Sequence, residues 1–156
     1  MRKRVLSLVI LLIFIVSAFA FAQSFKTVKD LLAEARQVVK EITVDEAYKD
    51  YFKPRKKDVV FLDVREKEEV EAGHIPGAKW IPRGLLEFKI EKMFPNRDAQ
   101  LILVYCKTGG RSLLAAETLT KMGYKVISIK GGFTDWAKKK YPVKKGEISS
   151  EGGGCS

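Results

Sequence analysis

Short apolar runs that alternate with helical patterns are the feature that most limits how this chain can fold. The runs at 59–62, 101–105 and 124–129 are β-prone, and their length is typical of strands buried in a parallel sheet. Segments with helical spacing separate them. Strands and helices in this order favour βαβ units with parallel strands. We therefore predict an α/β fold, with an open and mostly parallel sheet and helices on both faces.

Spacing and helix breakers predict the other elements. Residues 26–41 carry apolar side chains three and four positions apart, which predicts an amphipathic helix that packs on the domain, with a partner-binding helix as the alternative. Thr43 and Glu46 have capping-box spacing, which indicates a helix as far as Phe52. The remaining predicted elements are a first strand at Ile42 and Val44, a helix over 66–73 with Gly73 as its C-cap, an edge strand over 79–82, a helix over 84–94 with Leu85, Phe88 and Met93 at its apolar positions, a helix over 111–122, and a last short helix over 133–140.

The N-terminus has the pattern of a secretion signal. A basic cluster at 2–4 precedes an uncharged stretch, and Ala20-x-Ala22 matches a cleavage site. We predict a signal peptide over residues 1–22; the alternative is an uncleaved anchor, because residues 5–22 just reach the length of a spanning helix. Either reading predicts a domain outside the cytoplasm, periplasmic or secreted, or anchored and facing outward.

Length and charge limit the domain organisation and the partners. The 156 residues have room for one domain with extensions: a helical lead-in at 23–41, the domain at 42–142, and a flexible tail at 143–156, which is polar and glycine-rich. The net charge is +10, but the lysines are scattered among acids, which is typical of a solvated basic surface. We expect no nucleic-acid partner, and membrane contact only through the N-terminal segment. Small anions are the partners that such a surface attracts.

Cys106 lies between a predicted strand and a predicted helix, a position where open α/β sheets bind ligands. The helix N-terminus presents free N–H groups and a positive dipole end, which favour a thiolate. Lys107 and Arg111 add positive charge, and such surroundings lower the pKa of a cysteine and make it a nucleophile. Gly109 and Gly110 allow successive N–H groups to point at one anion. We name residues 106–111 the cysteine loop and predict that it is a nucleophile cradle.

Four motifs resemble the rhodanese (sulfurtransferase) family and occur in the order found there. They are Leu62-Asp63-Val64-Arg65-Glu66, Gly73-His74-Ile75-Pro76-Gly77-Ala78, Cys106-x-x-Gly109-x-Arg111-Ser112 and Gly131-Gly132-Phe133-x-x-Trp136. They span about residues 42–142. The resemblance implies a five-stranded parallel sheet flanked by helices. It also implies that Cys106 carries sulfur as a persulfide, cradled by the backbone N–H groups of residues 107–111.

The resemblance places further residues at the rim of this site. Asp63, Arg65 and His74 match family positions, and we expect structural roles for them: a buried carboxylate paired with Arg65 or with loop N–H groups, and a turn histidine with one ring nitrogen bonded to backbone. We expect Trp80 and Trp136 to be packing residues.

The implied chemistry is sulfur transfer in two steps. A Cys106 thiolate takes the outer sulfur of thiosulfate or polysulfide, and the persulfide passes it to a thiol, a protein thiol or cyanide. Arg111 and Lys107 are expected to hold the anionic donor, and Thr108 completes the loop. Ser112 either caps the helix or donates to the persulfide, and its spacing does not separate these roles.

Other functions are open on the sequence. Rhodanese-like domains also serve as persulfide carriers or docking modules with little turnover. Cysteine phosphatases and arsenate reductases use Cys-x5-Arg loops, whereas four residues separate Cys106 from Arg111 here, which suits a smaller anion. Cys155 offers a second thiol that could resolve the persulfide or form a disulfide with Cys106. One histidine and two distant cysteines do not make a zinc site, and no nucleotide-binding motif is present, so we expect no metal and no cofactor.

Overall fold

The computed structural model describes residues 25–148. Within that range, five parallel strands form one sheet in the order β1-β5-β4-β2-β3. The strands are β1 (Glu41–Thr43), β2 (Val59–Asp63), β3 (Lys79–Trp80), β4 (Leu101–Tyr105) and β5 (Lys125–Lys130). The predicted α/β fold is therefore confirmed. The signal peptide predicted for residues 1–22 and the second thiol at Cys155 lie outside the described residues.

Helices cover both faces of this sheet. They are α1 (Val28–Val38), α2 (Val44–Glu46) with a π-helical continuation (Ala47–Phe52), α3 (Lys67–Glu71), α4 (Leu86–Met93) after a 3-10 turn (Arg83–Leu85), α5 (Gly110–Lys121) and α6 (Gly132–Lys138). Within the described range, no helix is both long enough and apolar enough to cross a bilayer.

Alternation along β4 divides the core into two halves. Ile102 and Val104 join a buried cluster with residues of α4 and α5, while Leu103 and Tyr105 join a cluster with residues of α2 and α6. Each fully buried large aliphatic side chain contributes about 1.5–3 kcal/mol. β4 thus lies in the middle of the core, and its last residue, Tyr105, is fully buried.

The lead-in helix α1 packs against α5. Ala35 and Val39 on α1 form a small buried cluster with Leu113 and Ala116. A capping box between Thr27 and Asp30 begins the helix. The apolar side chains at Phe25, Val28 and Val38 remain exposed on α1 or just before it.

Several element boundaries differ from the sequence-based predictions. Val44 begins α2 rather than ending β1, because the capping box of Thr43 with Glu46 starts the helix there. Phe88 is 84% exposed, because the apolar face of α4 is formed by other residues. The buried positions of α4 are Leu86, Ile90 and Met93.

Gly73 was predicted as the C-cap of α3, but the helix is closed by Ala72 in a right-handed conformation. The φ of Gly73 is not in the positive, left-handed region. A Cβ at Gly73 would lie 3.0 Å from Val143 Cγ1 and 3.2 Å from Phe133 Cζ. Gly73 is therefore required for close packing and not for its backbone conformation.

The start of the predicted flexible tail is bound to the domain. Lys144 pairs with His74 through two backbone hydrogen bonds of 2.8 and 2.9 Å, and the Gly146 N–H donates to the Glu71 carbonyl at 2.9 Å. Ile148 packs against the α2/α6 side of the core. We name residues 143–148 the strap. The flexible-tail prediction was wrong for the strap, because its backbone finds partners around α3.

Candidate active site

Cys106 comes directly after the last residue of β4, at the carboxyl edge of the sheet. Tyr105, at the end of β4, is in register with Asp63 at the end of β2, and the Val64 N–H donates to the Tyr105 carbonyl at 3.1 Å. Asp63 and Cys106 therefore lie at the same edge, as the strand pattern predicted.

The Cys106 thiol is held at the start of α5. Its Sγ accepts a hydrogen bond from the Gly109 N–H at 3.2 Å. Gly110 and Arg111 are the first residues of α5, so their N–H groups have no partner inside the helix. The residue is only 1% exposed and joins the core cluster on the α4/α5 side. Its sulfur thus has the predicted N–H donor but is more enclosed than the sequence indicated.

The beginning of α6 supports the cysteine loop from behind. The Phe133 N–H donates to the Cys106 carbonyl at 2.8 Å, and the Thr134 N–H donates to the Lys107 carbonyl at 2.9 Å. A Cβ at Gly132 would overlap the Cys106 carbonyl oxygen and lie 2.8 Å from the Lys107 oxygen. In the sequence, Gly131-Gly132 is recognisable only as part of a motif; in the structure, Gly132 lets the backbones of α6 and the cysteine loop approach each other closely.

Gly109 supplies the turn that the loop requires. Its φ of 108° is accessible to glycine, and a Cβ there would lie 3.2 Å from the Gly131 nitrogen. Lys107 and Thr108, at the tip of the loop, are exposed. The loop therefore combines a rigid, glycine-dependent base with a solvent-facing tip.

Arg111 is bound to a carboxylate that the sequence analysis did not single out. Its Nη2 donates to both Glu69 oxygens, at 2.9 and 2.8 Å, and its Nη1 lies 3.8 Å from a Glu66 oxygen. Partial burial alone would lower the pKa of Arg111, but the hydrogen bond to Glu69 and the charge of Glu69 raise it by more, so the pKa of Arg111 is raised overall. Glu66 and Glu69 carry a capping-box spacing in the sequence, which is the signal that could have drawn attention to them.

Ser112 takes neither of the two roles that the sequence left open. Its Oγ donates to the Gly109 carbonyl at 2.9 Å and lies 3.2 Å from Ser128 Oγ on β5. The N-cap of α5 is Gly109 and makes no side-chain capping bond. The buried hydroxyl of Ser112 therefore fastens the cysteine loop to the neighbouring strand.

Asp63 and Arg65 form the buried pair expected at the rim. Arg65 donates from Nε at 2.9 Å and from Nη2 at 2.6 Å to the two Asp63 oxygens. It also donates to the carbonyls of Glu69 and Gly73, at 3.1 and 2.7 Å. Burial alone would lower the pKa of Arg65, but the hydrogen bonds to Asp63 and its charge raise it by more, so the pKa of Arg65 is raised overall. The pair is thus saturated by partners within the protein.

His74 is also engaged in structure. Its Nδ1 lies 3.1 Å from the Val70 carbonyl, and the residue is buried under the strap. Nearby, the Tyr105 hydroxyl accepts a hydrogen bond from the Ile75 N–H at 3.2 Å. Burial, and after it the charge of Asp63, raises the pKa of Tyr105 well above its usual value, so this phenol stays neutral.

The two tryptophans have packing surroundings. Trp136 is fully buried, and its Nε1 donates to the Pro142 carbonyl at 2.9 Å. Trp80 donates from Nε1 to the Arg65 carbonyl at 2.9 Å. Each indole N–H is therefore used within the fold.

Comparisons with known proteins agree with this geometry. The chain is 39% identical over 83 residues to the thiosulfate sulfurtransferase GlpE of Pseudoalteromonas translucida. That match covers 52% of this chain and 75% of GlpE. It is 43% identical over 79 residues to the putative sulfur carrier protein YrkF of Bacillus subtilis. That match covers 50% of this chain, and the chain spans only 41% of that relative.

Solved structures share the fold. A Rhodopseudomonas palustris protein, described as of unknown function and a possible tyrosine phosphatase, is similar at a TM-score of 0.72 and 34% identity, covering 80% of this chain and 99% of that one. A thiosulfate sulfurtransferase from Pseudomonas aeruginosa is similar in fold at a TM-score of 0.68 and 21% identity, covering 83% and 24%. The sequence model of the Rhodanese-like domain matches residues 43–139. The chain belongs to the rhodanese-like family.

Proposed function

We propose that this chain transfers a sulfane sulfur from an anionic donor, such as thiosulfate or polysulfide, to a thiol or cyanide acceptor through a persulfide on Cys106. The observation that carries this proposal is the thiol at the start of α5, with its Sγ 3.2 Å from the Gly109 nitrogen. A backbone N–H and the positive end of a helix favour sulfur as an anion, both before and after it is loaded.

The proposed reaction consists of two displacements. The Cys106 thiolate attacks the outer sulfur of thiosulfate, the S–S bond of the donor breaks, and sulfite leaves with the electron pair. The acceptor then attacks the outer sulfur of the persulfide, and the Cys106 thiolate leaves. With cyanide the product is thiocyanate. No oxidant is needed, because sulfane sulfur is exchanged between nucleophiles.

Enclosure of the thiol limits which donors suit the site. Because Cys106 is 1% exposed, the sulfur to be transferred must project from its carrier on a narrow stem. The terminal sulfur of thiosulfate, of a polysulfide or of a persulfide has that shape. The exposed Lys107 lies next in the chain and offers a cation for the anionic part of such a donor.

Mass spectrometry tests the proposal directly. After treatment with thiosulfate, the full chain should gain one sulfur atom on the peptide that contains Cys106, and cyanide should remove it. The Cys155→Ser variant should still gain the atom, whereas Cys106→Ser should not. If Cys106 stays unmodified, or if Cys155 alone is loaded, the mechanism is wrong.

A persulfide carrier with little turnover is the second candidate. Its support is the similarity to the putative sulfur carrier protein YrkF and the enclosure of the thiol. Enzyme and carrier differ in turnover with small acceptors. An enzyme gives many thiocyanate molecules per chain with excess thiosulfate and cyanide, whereas a carrier loads once and discharges only to a protein thiol.

Phosphatase activity is disfavoured by the loop, although one similar structure is described as a possible tyrosine phosphatase. Only four residues separate Cys106 from Arg111, one fewer than in the Cys-x5-Arg loops of cysteine phosphatases, and the shorter loop suits a smaller anion. A phosphomonoester release assay on the wild-type chain should give no activity that depends on Cys106.

Export is the proposed location of this activity. It is supported by the basic cluster at 2–4, the uncharged stretch after it and the Ala20-x-Ala22 pattern. Cell fractionation with N-terminal sequencing tests it, with Gln23 expected as the first residue of an exported protein. Full-length protein in the cytosolic fraction would contradict it.

A further inference from the structure

A series of contacts leads from the buried pair after β2 to the cysteine loop after β4. Arg65 donates from Nη1 to the Glu69 carbonyl at 3.1 Å and from Nη2 to the Gly73 carbonyl at 2.7 Å. The buried guanidinium thus holds α3 at two points. The side chain of Glu69 in turn holds Arg111. The buried Arg65 therefore fixes the position of Glu69, which is the partner of Arg111 at the cysteine loop.

Glu69 is restrained through both its backbone and its side chain. Its carboxylate accepts a hydrogen bond from the Glu66 N–H at 3.2 Å as well as those from Arg111. Burial alone would raise the pKa of Glu69, but the hydrogen bonds from Arg111 and Glu66 lower it by more. The pKa of Glu69 is therefore lowered overall, and the carboxylate is ionised at neutral pH. Glu69 is therefore a fixed anion and not a loose surface charge.

Arg111 retains donors that Glu69 does not use. A guanidinium carries five N–H donors, and both bonds to Glu69 come from Nη2. Within residues 25–148, Nε and Nη1 make no hydrogen bond, and the side chain is 36% exposed. A guanidinium held at one nitrogen keeps charge-assisted N–H donors at the other two, and each can bind one oxygen of an oxyanion.

We infer that Glu69 is a positioning residue for the anionic sulfur donor: it holds Nη2 of Arg111 and so keeps the free Nε and Nη1 donors available to the donor at the cysteine loop. The inference rests on the proposed function, since it concerns the donor of that reaction. It also assigns Asp63 and Arg65 a purpose beyond stability, because they fix the helix that carries Glu69.

The opposite effect of Glu69 is competition, in which the carboxylate neutralises Arg111 and weakens donor binding. The two effects have opposite signs. Positioning requires that removal of Glu69 weakens the use of thiosulfate, whereas competition requires that it strengthens it. The free Nε and Nη1 donors of Arg111 and the doubly restrained carboxylate of Glu69 favour positioning.

Steady-state kinetics with thiosulfate and cyanide tests the inference on the full chain. In a two-step mechanism, kcat/KM for thiosulfate reports the loading step alone and kcat/KM for cyanide reports the discharge step. Glu69→Ala should lower kcat/KM for thiosulfate about tenfold, the value of one charge-assisted contact, and leave that for cyanide within about twofold. Glu69→Gln, which keeps the acceptor for the Glu66 N–H, should show the same selectivity with a smaller loss. Glu68→Gln, an exposed position on the same helix, is the matched control and should behave like wild type.

A double-mutant cycle and a binding measurement separate positioning from general damage. If Glu69 acts through Arg111, Glu69→Ala should have no further effect on thiosulfate kinetics in an Arg111→Ala background. Calorimetry of sulfite binding to the Cys106→Ala variant should show affinity that Glu69→Ala weakens to the same degree. The inference is overturned if Glu69→Ala lowers kcat/KM equally for both substrates or raises it for thiosulfate. It is also overturned if the losses of Glu69→Ala and Arg111→Ala are additive, or if Glu69→Ala leaves the affinity for sulfite unchanged. Absence of a Cys106 persulfide in the wild type would overturn the proposed function instead, and the sulfite measurement would still decide the role of Glu69.

Discussion

β2 and β4 are adjacent strands that end at the same edge of the sheet, yet the segments after them differ. After β2, Arg65 is buried, and it is bonded to both Asp63 oxygens and to two carbonyls. After β4, Lys107 is exposed, and Arg111 has Nη2 bound to Glu69 and free donors at Nε and Nη1. A buried charge with all its bonds made inside the protein has nothing left for a ligand, whereas a half-exposed charge with spare donors does. One strand end supports the rim, and the other is suited to chemistry.

The largest expected effect is a loss of sulfur transfer when the segment after β4 is changed. Cys106→Ser should lower sulfur transfer by more than about a thousandfold, because the nucleophile that carries the sulfur is lost. The same change should leave the free energy of unfolding within about 1 kcal/mol, since the side chain keeps its size. Thiocyanate release and urea unfolding measure the two quantities. A variant that still transfers sulfur at the wild-type rate contradicts the assignment of this end.

The opposite pattern is expected after β2. Asp63→Ala leaves the Arg65 guanidinium buried without its counter-charge, which should cost about 3–5 kcal/mol of unfolding free energy. Urea denaturation followed by circular dichroism measures it. The control is Arg36→Ala, which breaks a pair at 3.4 Å between the exposed Arg36 and the partly exposed Glu41 and should cost less than about 1 kcal/mol. Similar costs for the two variants would mean that burial does not distinguish these ion pairs.

The support behind the cysteine loop gives a third, smaller effect. Gly132→Ala places a methyl group against the Cys106 carbonyl at a φ of 57°, and we expect it to cost about 2–3 kcal/mol and to slow persulfide formation. Thermal unfolding and the rate of sulfur loading measure these effects. Gly84→Ala is the control, because a Cβ there meets nothing within 4 Å. Normal loading by Gly132→Ala would show that the loop does not depend on α6.

Local patterns in the sequence account for the elements that were predicted well. Each of these patterns involves residues that are neighbours in the chain. Examples are the apolar runs that form β2, β4 and β5, and the capping box of Thr43 with Glu46. The pairing of Asp63 with Arg65 was predictable for the same reason, since the two residues are two positions apart and a buried carboxylate needs a partner.

Features that depend on distant contacts were missed. Glu69 and Arg111 lie 42 positions apart, and only the packing of α3 beside α5 brings them together. The strap looked like a tail, because its backbone partners at Glu71 and His74 are far away in the sequence. Likewise, the enclosure of Cys106 depends on how α4 and α5 cover the sheet. Local spacing carries no signal for such contacts.

The smallest effect concerns the side-chain bond of Glu69 to Arg111, which joins the segment after β2 to the segment after β4. Because the pKa of Glu69 is lowered in the folded chain, its stabilisation is complete above the ordinary glutamate pKa of about 4.3 and is lost as the pH falls through the lowered folded value. Glu69→Gln should therefore be less stable than wild type at pH 7 by up to about 1 kcal/mol, a value reduced by partial exposure of both partners. The two proteins should approach equal stability in acid. Urea unfolding at pH 7 and at about pH 3 measures this difference, with Glu68→Gln as the control that should track wild type at both. A stability difference that stays constant as the pH falls would mean that the charge of Glu69 does not hold Arg111.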